Sequence, residues 1–125
     1  MSYNVPLAIQ SHWAAQTGLP ELWLEYAPDP LVPPLAVMEA TGFSRTPLSA
    51  NSHMDSHNYK ISILTTSAES TWSIGELAIE KMDTLAGDKI TSVQIEPDSL
   101  ARPAKVGQLD VWVFEFTMKV EIFDN

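Results

Sequence analysis

Apolar residues near the N-terminus recur at helical spacing. Val5, Ile9 and Trp13 stand four positions apart, with Ala8, Ala14 and Ala15 beside them, which predicts a short helix over residues 5–16. Asn4 suits its N-cap, Pro6 its first turn and Gly18 its end. Residues 22–26 form a short apolar stretch rich in strand formers. Pro28, Pro30, Pro33 and Pro34 then exclude regular structure and mark a loop. Residues 35–40 read as a second strand that stops near Thr41 and Gly42. Residues 43–58 are rich in Ser, Asn and His and contain Pro47, and they read as a long mobile loop between two antiparallel strands. Such loops in small domains are functional or disordered.

The alternation then becomes regular. Tyr59, Ile61 and Ile63 alternate with Lys60 and Ser62, the pattern of a half-buried strand over 59–66. Ile74, Leu77, Ala78, Lys81, Met82 and Leu85 keep helical spacing. Ser70 or Ser73 can cap this helix, Ser73 with Glu76 fits a capping box, and Gly87 can end it. Residues 90–95 read as a strand halted by Pro97, and 96–107 as a polar link carrying Arg102, Pro103 and Lys105. The strongest strand signal covers 109–123, where Trp112, Phe114, Phe116, Met118, Val120 and Ile122 alternate with more polar neighbours. At a strand's rise this segment reaches about 50 Å. It overhangs shorter neighbours and offers a partner surface, unless a bend or bulge divides it. The pattern as a whole predicts one α+β domain over 1–125. Its sheet is twisted and mostly antiparallel, with roughly four to five strands and two helices packed on one face.

Charge narrows the function classes. The chain of 125 residues carries 16 acids against 7 bases, a formal charge of −9. That excess disfavours binding to nucleic-acid phosphates or to an anionic membrane. It also makes copies repel unless a specific interface overrides the repulsion. There is no cysteine, which removes disulfides, thiolate nucleophiles and Cys-type metal sites. No secretory signal is visible at the N-terminus, and no apolar run approaches a membrane span.

Candidate chemistry is sparse. His53, Asp55 and His57 alternate, so in an extended segment they share a side and could converge on a divalent ion. The pattern is short, needs support from His12 or Asp124, and fits a polar solvated loop better. The five glycines stand singly, so no phosphate loop and no nucleotide cofactor is indicated. Ser73-Ile74-Gly75 lies within a helix and makes no nucleophile elbow. Glu21 and Glu25 read as the solvated edge of a strand rather than as an acid/base pair. Trp13 and Trp112 fall at core-like phases. Trp23 and Trp72 lie off phase, where they either anchor an interface or cover the edge of the core.

One resemblance spans most of the chain. It runs through the early helix with Trp13 and Leu19, then Pro33-Pro34-Leu35-Ala36-Val37 leading into a strand, then Tyr59-Lys60-Ile61-Ser62-Ile63. It continues through the helix up to Leu85 and closes with Val111-Trp112-Val113-Phe114-Glu115-Phe116. In this order the elements resemble the tail-terminator, or tail-completion (head–tail joining), proteins of long-tailed bacteriophages. The His-bearing segment 43–58 lies outside the match. The resemblance implies a structural virion protein and no enzyme, without cofactor or metal, assembled in a bacterial host's cytoplasm and sited at the tail–neck junction. It implies a homo-oligomeric ring, commonly a hexamer, that ends the tail tube and meets both the tube protein and the neck proteins. Genome DNA passes through such a ring, and surplus acid around the channel would repel its phosphates. Candidate interface residues are Trp23, Phe43, Arg45, His53, Asp55, His57, Trp72, Arg102 and Lys105, with the segment 43–58, the link 96–107 and the outer face of the last strand. Two other readings stay open. One is a small-molecule-binding module with a pocket lined by Trp112, Phe114 and Phe116. The other is a metal-dependent enzyme using His53, Asp55 and His57.

Overall fold

Caps and alternation set the element boundaries. The computed structural model describes residues 4–87, 89–98 and 101–124. Helix α1 spans Val5–Ala14 and buries Val5, Ile9 and Trp13 along one side. Asn4 Oδ1 accepts from Leu7 N at 3.1 Å, and proline occupies the first turn, where its missing N–H costs nothing. Trp13 Nε1 donates to Pro20 O at 2.6 Å, which ties the returning chain to the helix. Gly18, at φ 92°, supplies the left-handed residue that this return needs.

The sheet has six strands in the order β1-β2-β3-β6-β4, with β5 also paired to β6. Strand β1, Leu22–Leu24, runs parallel to β2, Leu35–Ser49, and β2 turns tightly into antiparallel β3, Ser52–Thr65. Strand β6, Leu109–Asp124, is the axis. Its pairing with β3 is unbroken from Trp112 against Thr65 to Asp124 against His53. Its other side takes β5, Arg102–Val106, along the first part and β4, Ile90–Pro97, along the rest. The long strand therefore neither overhangs nor divides.

The pleat of β6 and β3 sorts the side chains. Tyr59, Ile61 and Ile63 share a face with Phe114, Phe116, Met118, Val120 and Ile122. On that face they meet Val5, Ile9 and Trp13 of α1, and Ala78 and Met82 of α2, Ala68–Met82. Burial of each large side chain contributes about 1.5–3 kcal/mol. A smaller cluster of Leu35, Leu64, Val111 and Val113 forms at one end of the opposite face, packed by Trp23, Leu31 and Leu109.

Three expectations are corrected. The sheet is mixed and has six strands, because β1 pairs parallel and because β5 forms inside the link read as polar and irregular. Pro103 is tolerated there because β5 is an edge strand, with β6 on one side only. Residues 43–58 are the outer halves of two long strands rather than a mobile loop. Residues 53–58 of β3 pair with β6 over Lys119–Asp124, and the outer part of β2 pairs in turn with β3, so a neighbour imposes the strand where propensity does not. Helix α2 begins earlier than Ser70 or Ser73: Ser67 caps it by accepting from Ser70 N, and it ends at Met82, ahead of Gly87.

Gly75 sets how closely α2 lies on the sheet. A Cβ there would fall 2.5–2.8 Å from three ring atoms of buried Phe114. Gly75→Ala gains up to about 1 kcal/mol of helix propensity but overpacks the core at a cost of about 1–3 kcal/mol. The expected result is a lower urea midpoint at an unchanged m-value. A midpoint raised by the substitution would mean that the helix stands off from Phe114.

Candidate interaction surface

The pairing of β2 with β3 aligns Phe43 with His57, Arg45 with Asp55, and Pro47 with His53. These side chains lie on the helix-packed face of the sheet, beyond Tyr59. Six residues from two strands are thus brought onto one side of the hairpin. Arg45 clasps Asp55 through Nε to Oδ1 at 2.8 Å and Nη2 to Oδ2 at 3.0 Å, and His53 Nδ1 joins the same Oδ1 at 2.8 Å. Asp55 is only 5% exposed, and this two-sided clasp satisfies a carboxylate that would otherwise be costly to bury. The Arg45 guanidinium also stands 5.7 Å from the Phe43 ring centroid. Phe43 meets His57 edge-on at 5.0 Å, and His57 stacks on Tyr59 at 6.4 Å.

The electrostatics follow from these contacts. Arg45, with His53 adding to it, holds the Asp55 carboxyl below the usual carboxylate range, although burial pulls the other way. Burial pushes the His57 imidazole below its ordinary 6.5. Burial likewise pushes the Tyr59 phenol up to about 12, with Glu25 adding to the shift. Lys89 holds Asp124 low, across from His53 at the end of β6.

His53, Asp55 and His57 do not gather on one point: His53 bonds Asp55, while His57 is taken up between Phe43 and Tyr59. His12 and Asp124 lend no support. His12 Nε2 lies 2.9 Å from Lys81 O and 3.0 Å from Thr84 Oγ1, joining α1 to the end of α2, and Asp124 is bound by Lys89. Among the described residues no group of three potential ligands is placed to hold a metal ion. Of the three aromatic residues read as a pocket lining, Phe114 and Phe116 are buried in the core and Trp112 is half-buried.

The remaining candidates are dispersed. Trp23 packs half-buried in the smaller apolar cluster. Trp72, 40% exposed on α2, lies edge-on against Phe114 at 5.7 Å. Arg102, on the opposite face of the sheet, binds Glu115 at 2.7 Å, and Lys60 reaches the same carboxylate at 3.1 Å. Burial works to raise the Glu115 pKa, but these two cations outweigh it and hold it low. Lys105 faces solvent, 3.5 Å from Asp110.

Two surface features add to these residues. Leu48 is exposed near the tip of the β2–β3 hairpin, in the same outer half as Phe43. At the opposite end of the sheet the proline loop and the β5–β6 turn enclose an open groove of about 480 Å³, lined by Ala27, Pro28, Leu31, Val106 and Leu109, with Asp29 among them. Exposed Tyr26 and Val32 stand in the same loop region. The proline density was the available signal for this groove, but the partner turn comes from a distant part of the chain.

No protein-family description and no curated protein matches the chain. The fold does have a counterpart in a chain of the virion of a native gene transfer agent particle. The likeness has a TM-score of 0.64 at 13% identity and covers 98% of this chain and 99% of that one. At this identity it establishes a shared fold. No helix among the described residues is long and apolar enough to cross a membrane.

Both the clasp and the neighbouring His57 are open to test. Asp55→Asn removes the charge at nearly constant shape, so amide exchange across 43–57 should accelerate by about tenfold while Ile61 and Phe116 stay protected. Fast exchange in this segment of the parent protein would show that the outer hairpin is not ordered. His57 has its folded pKa below the unfolded one, so its stabilising contribution is complete above about pH 6.5 and is lost as pH falls through the folded value. The urea midpoint should therefore drop between about pH 7.5 and 5.5, and His57→Phe should flatten that drop. An equal drop in the variant would assign it to another group.

Proposed function

We propose that this chain is a structural protein of a phage-like virion, of the tail-terminator type, and has no catalytic role. It forms a homo-oligomeric ring at the head-proximal end of a tail tube, at the tail–neck junction, with the tube protein on one side and neck proteins on the other. The observation that carries the reading is the end-to-end likeness to a chain of the gene transfer agent virion, in which neither chain has a large part left over. The order of elements, which resembles the tail-terminator family, supports the same reading independently. So does the surface: exposed apolar and aromatic side chains at two separate places suit a subunit with several neighbours. One fold serves several neck and tail positions, so the position assigned here rests on the family resemblance. The net charge of −9 suits a channel through which DNA passes without adhering.

Light scattering across concentration and salt, with negative-stain images, tests the reading. The expected result is a closed ring of about six subunits whose formation strengthens with salt, because salt screens the repulsion between acidic copies. Added to growing tail tubes, the protein should stop their elongation. A monomer that neither assembles nor arrests tube growth would overturn the assignment.

A further inference from the structure

Both flanks of the sheet end in backbone that a further strand could pair. Beyond Met38, β2 has β3 on one side and, among the described residues, no strand on the other; β4 has β6 on one side only. Main-chain groups on a strand alternate between its two flanks. Asp98 N donates to Glu115 O, so in β4 Ser92, Gln94 and Glu96 turn toward β6, while Val93, Ile95 and Pro97 turn outward. In β2, Ala36 N donates to Glu21 O and Met38 O accepts from Glu25 N, which turns the even-numbered residues toward β1. The extra residue Thr41 reverses that phase, so beyond it Phe43, Arg45 and Pro47 turn outward. Ala40 N, just ahead of the bulge, is taken by Glu25 Oε1 at 3.2 Å. The two edges follow one plan. Each begins at a threonine that the register skips, Thr41 or Thr91, and reaches a proline six positions later, Pro47 or Pro97. The prolines fall at outward positions, where their missing N–H breaks no bond within the sheet.

We propose that the β2 edge of one copy pairs antiparallel with the β4 edge of the next. Phe43 lies opposite Ile95 and Arg45 opposite Val93, each pair exchanging both of its main-chain hydrogen bonds, and each threonine bulge meets the other edge's proline. Exposed Phe43 is then set against Ile95 on the helix-packed face. On the other face Ser44 lies opposite Gln94. The occupant is a second copy because the two edges match in length, in direction and in face. Strands β2, β3, β6 and β4 already alternate in direction, and an antiparallel joint continues that order with the helices on the same side. Arg45 does not blunt the edge as a free charge would, because Asp55 already holds it. A β2–β2 joint would set the two Arg45 side chains diagonally on one face, where like charges repel, and a β4–β4 joint would stop at a dimer with both β2 edges open. The β2–β4 joint uses different surfaces of the two copies, so it propagates head to tail until a rotation closes it. The inference rests on the ring reading and names the contact that would close the ring.

Disulfide trapping tests it directly, since the chain has no cysteine of its own. Ser44 and Gln94 are both exposed, and the register makes them directly opposed across the joint, within reach of a disulfide. Ser44→Cys and Gln94→Cys are mixed as single variants and oxidised with diamide, in solution and again on tail tubes. The expected product is a 44–94 dimer in excess over both 44–44 and 94–94. In the parent protein the amides of Phe43, Val93 and Ile95 should exchange fast in the free subunit and at least tenfold more slowly in the assembly. Val93→Pro removes an outward N–H that the fold does not use, so it should keep far-ultraviolet circular dichroism and lose assembly. A dominant 44–44 product would assign the contact to paired β2 edges, and a dominant 94–94 product to paired β4 edges. Either product, or an assembly whose Phe43, Val93 and Ile95 amides stay unprotected, overturns this contact and leaves self-association standing. A parent protein that stays monomeric at every concentration and leaves tube growth unarrested overturns both this contact and the ring reading.

Discussion

Everything in this fold depends on β6 being paired on both flanks. Sixteen residues of strand, Leu109–Asp124, are held between β3 on one side and β5 followed by β4 on the other. Side chains on a strand alternate with a period of two, so a one-residue slip against β3 would send Phe114, Phe116, Met118, Val120 and Ile122 to solvent and bring Glu115, Thr117, Lys119 and Glu121 into the core. The burial of five large apolar residues opposes that slip. The same pairing carries order outward: Asp55 is opposite Ile122 and His57 opposite Val120, so the far half of the hairpin inherits its register from the core.

That inheritance explains what could be read from the sequence and what could not. Helix α1 was legible because its face, cap and first-turn proline all agree, and β6 because its alternation is long. The outer hairpin was not legible. Its Ser, Asn and His residues lack strand propensity, and its order comes from a partner strand more than sixty residues away. Strand β5 was hidden for the same reason, with a proline as its second residue and only an edge to occupy. The candidate site was half legible. Alternation at His53, Asp55 and His57 correctly placed three side chains on one side, but it carried no word of Arg45, which turns a possible ligand set into a clasped carboxylate.

Asp55 illustrates why buried charge need not signal catalysis. Both carboxylate oxygens accept from Arg45, and His53 shares one of them, so the charge is matched by groups of the chain itself. The arrangement contributes specificity of shape instead. It ties the outer parts of two paired strands together across the hairpin. Glu25 acts in the same manner at the other part of β2: it adopts φ 68° and accepts from Ala40 N at 3.2 Å, capping the strand just past its short pairing with β1.

Charge distribution gives the final link between fold and assembly. Copies of a chain with nine excess negative charges repel one another over roughly the Debye length, so diffuse contacts between them are weak at low salt. A ring of such subunits requires contacts in which apolar burial outweighs the repulsion and the local charge is favourable. The outer hairpin is one place in the chain where such a contact is physically open, because Phe43 and Leu48 are exposed there and its one base is matched by its one acid.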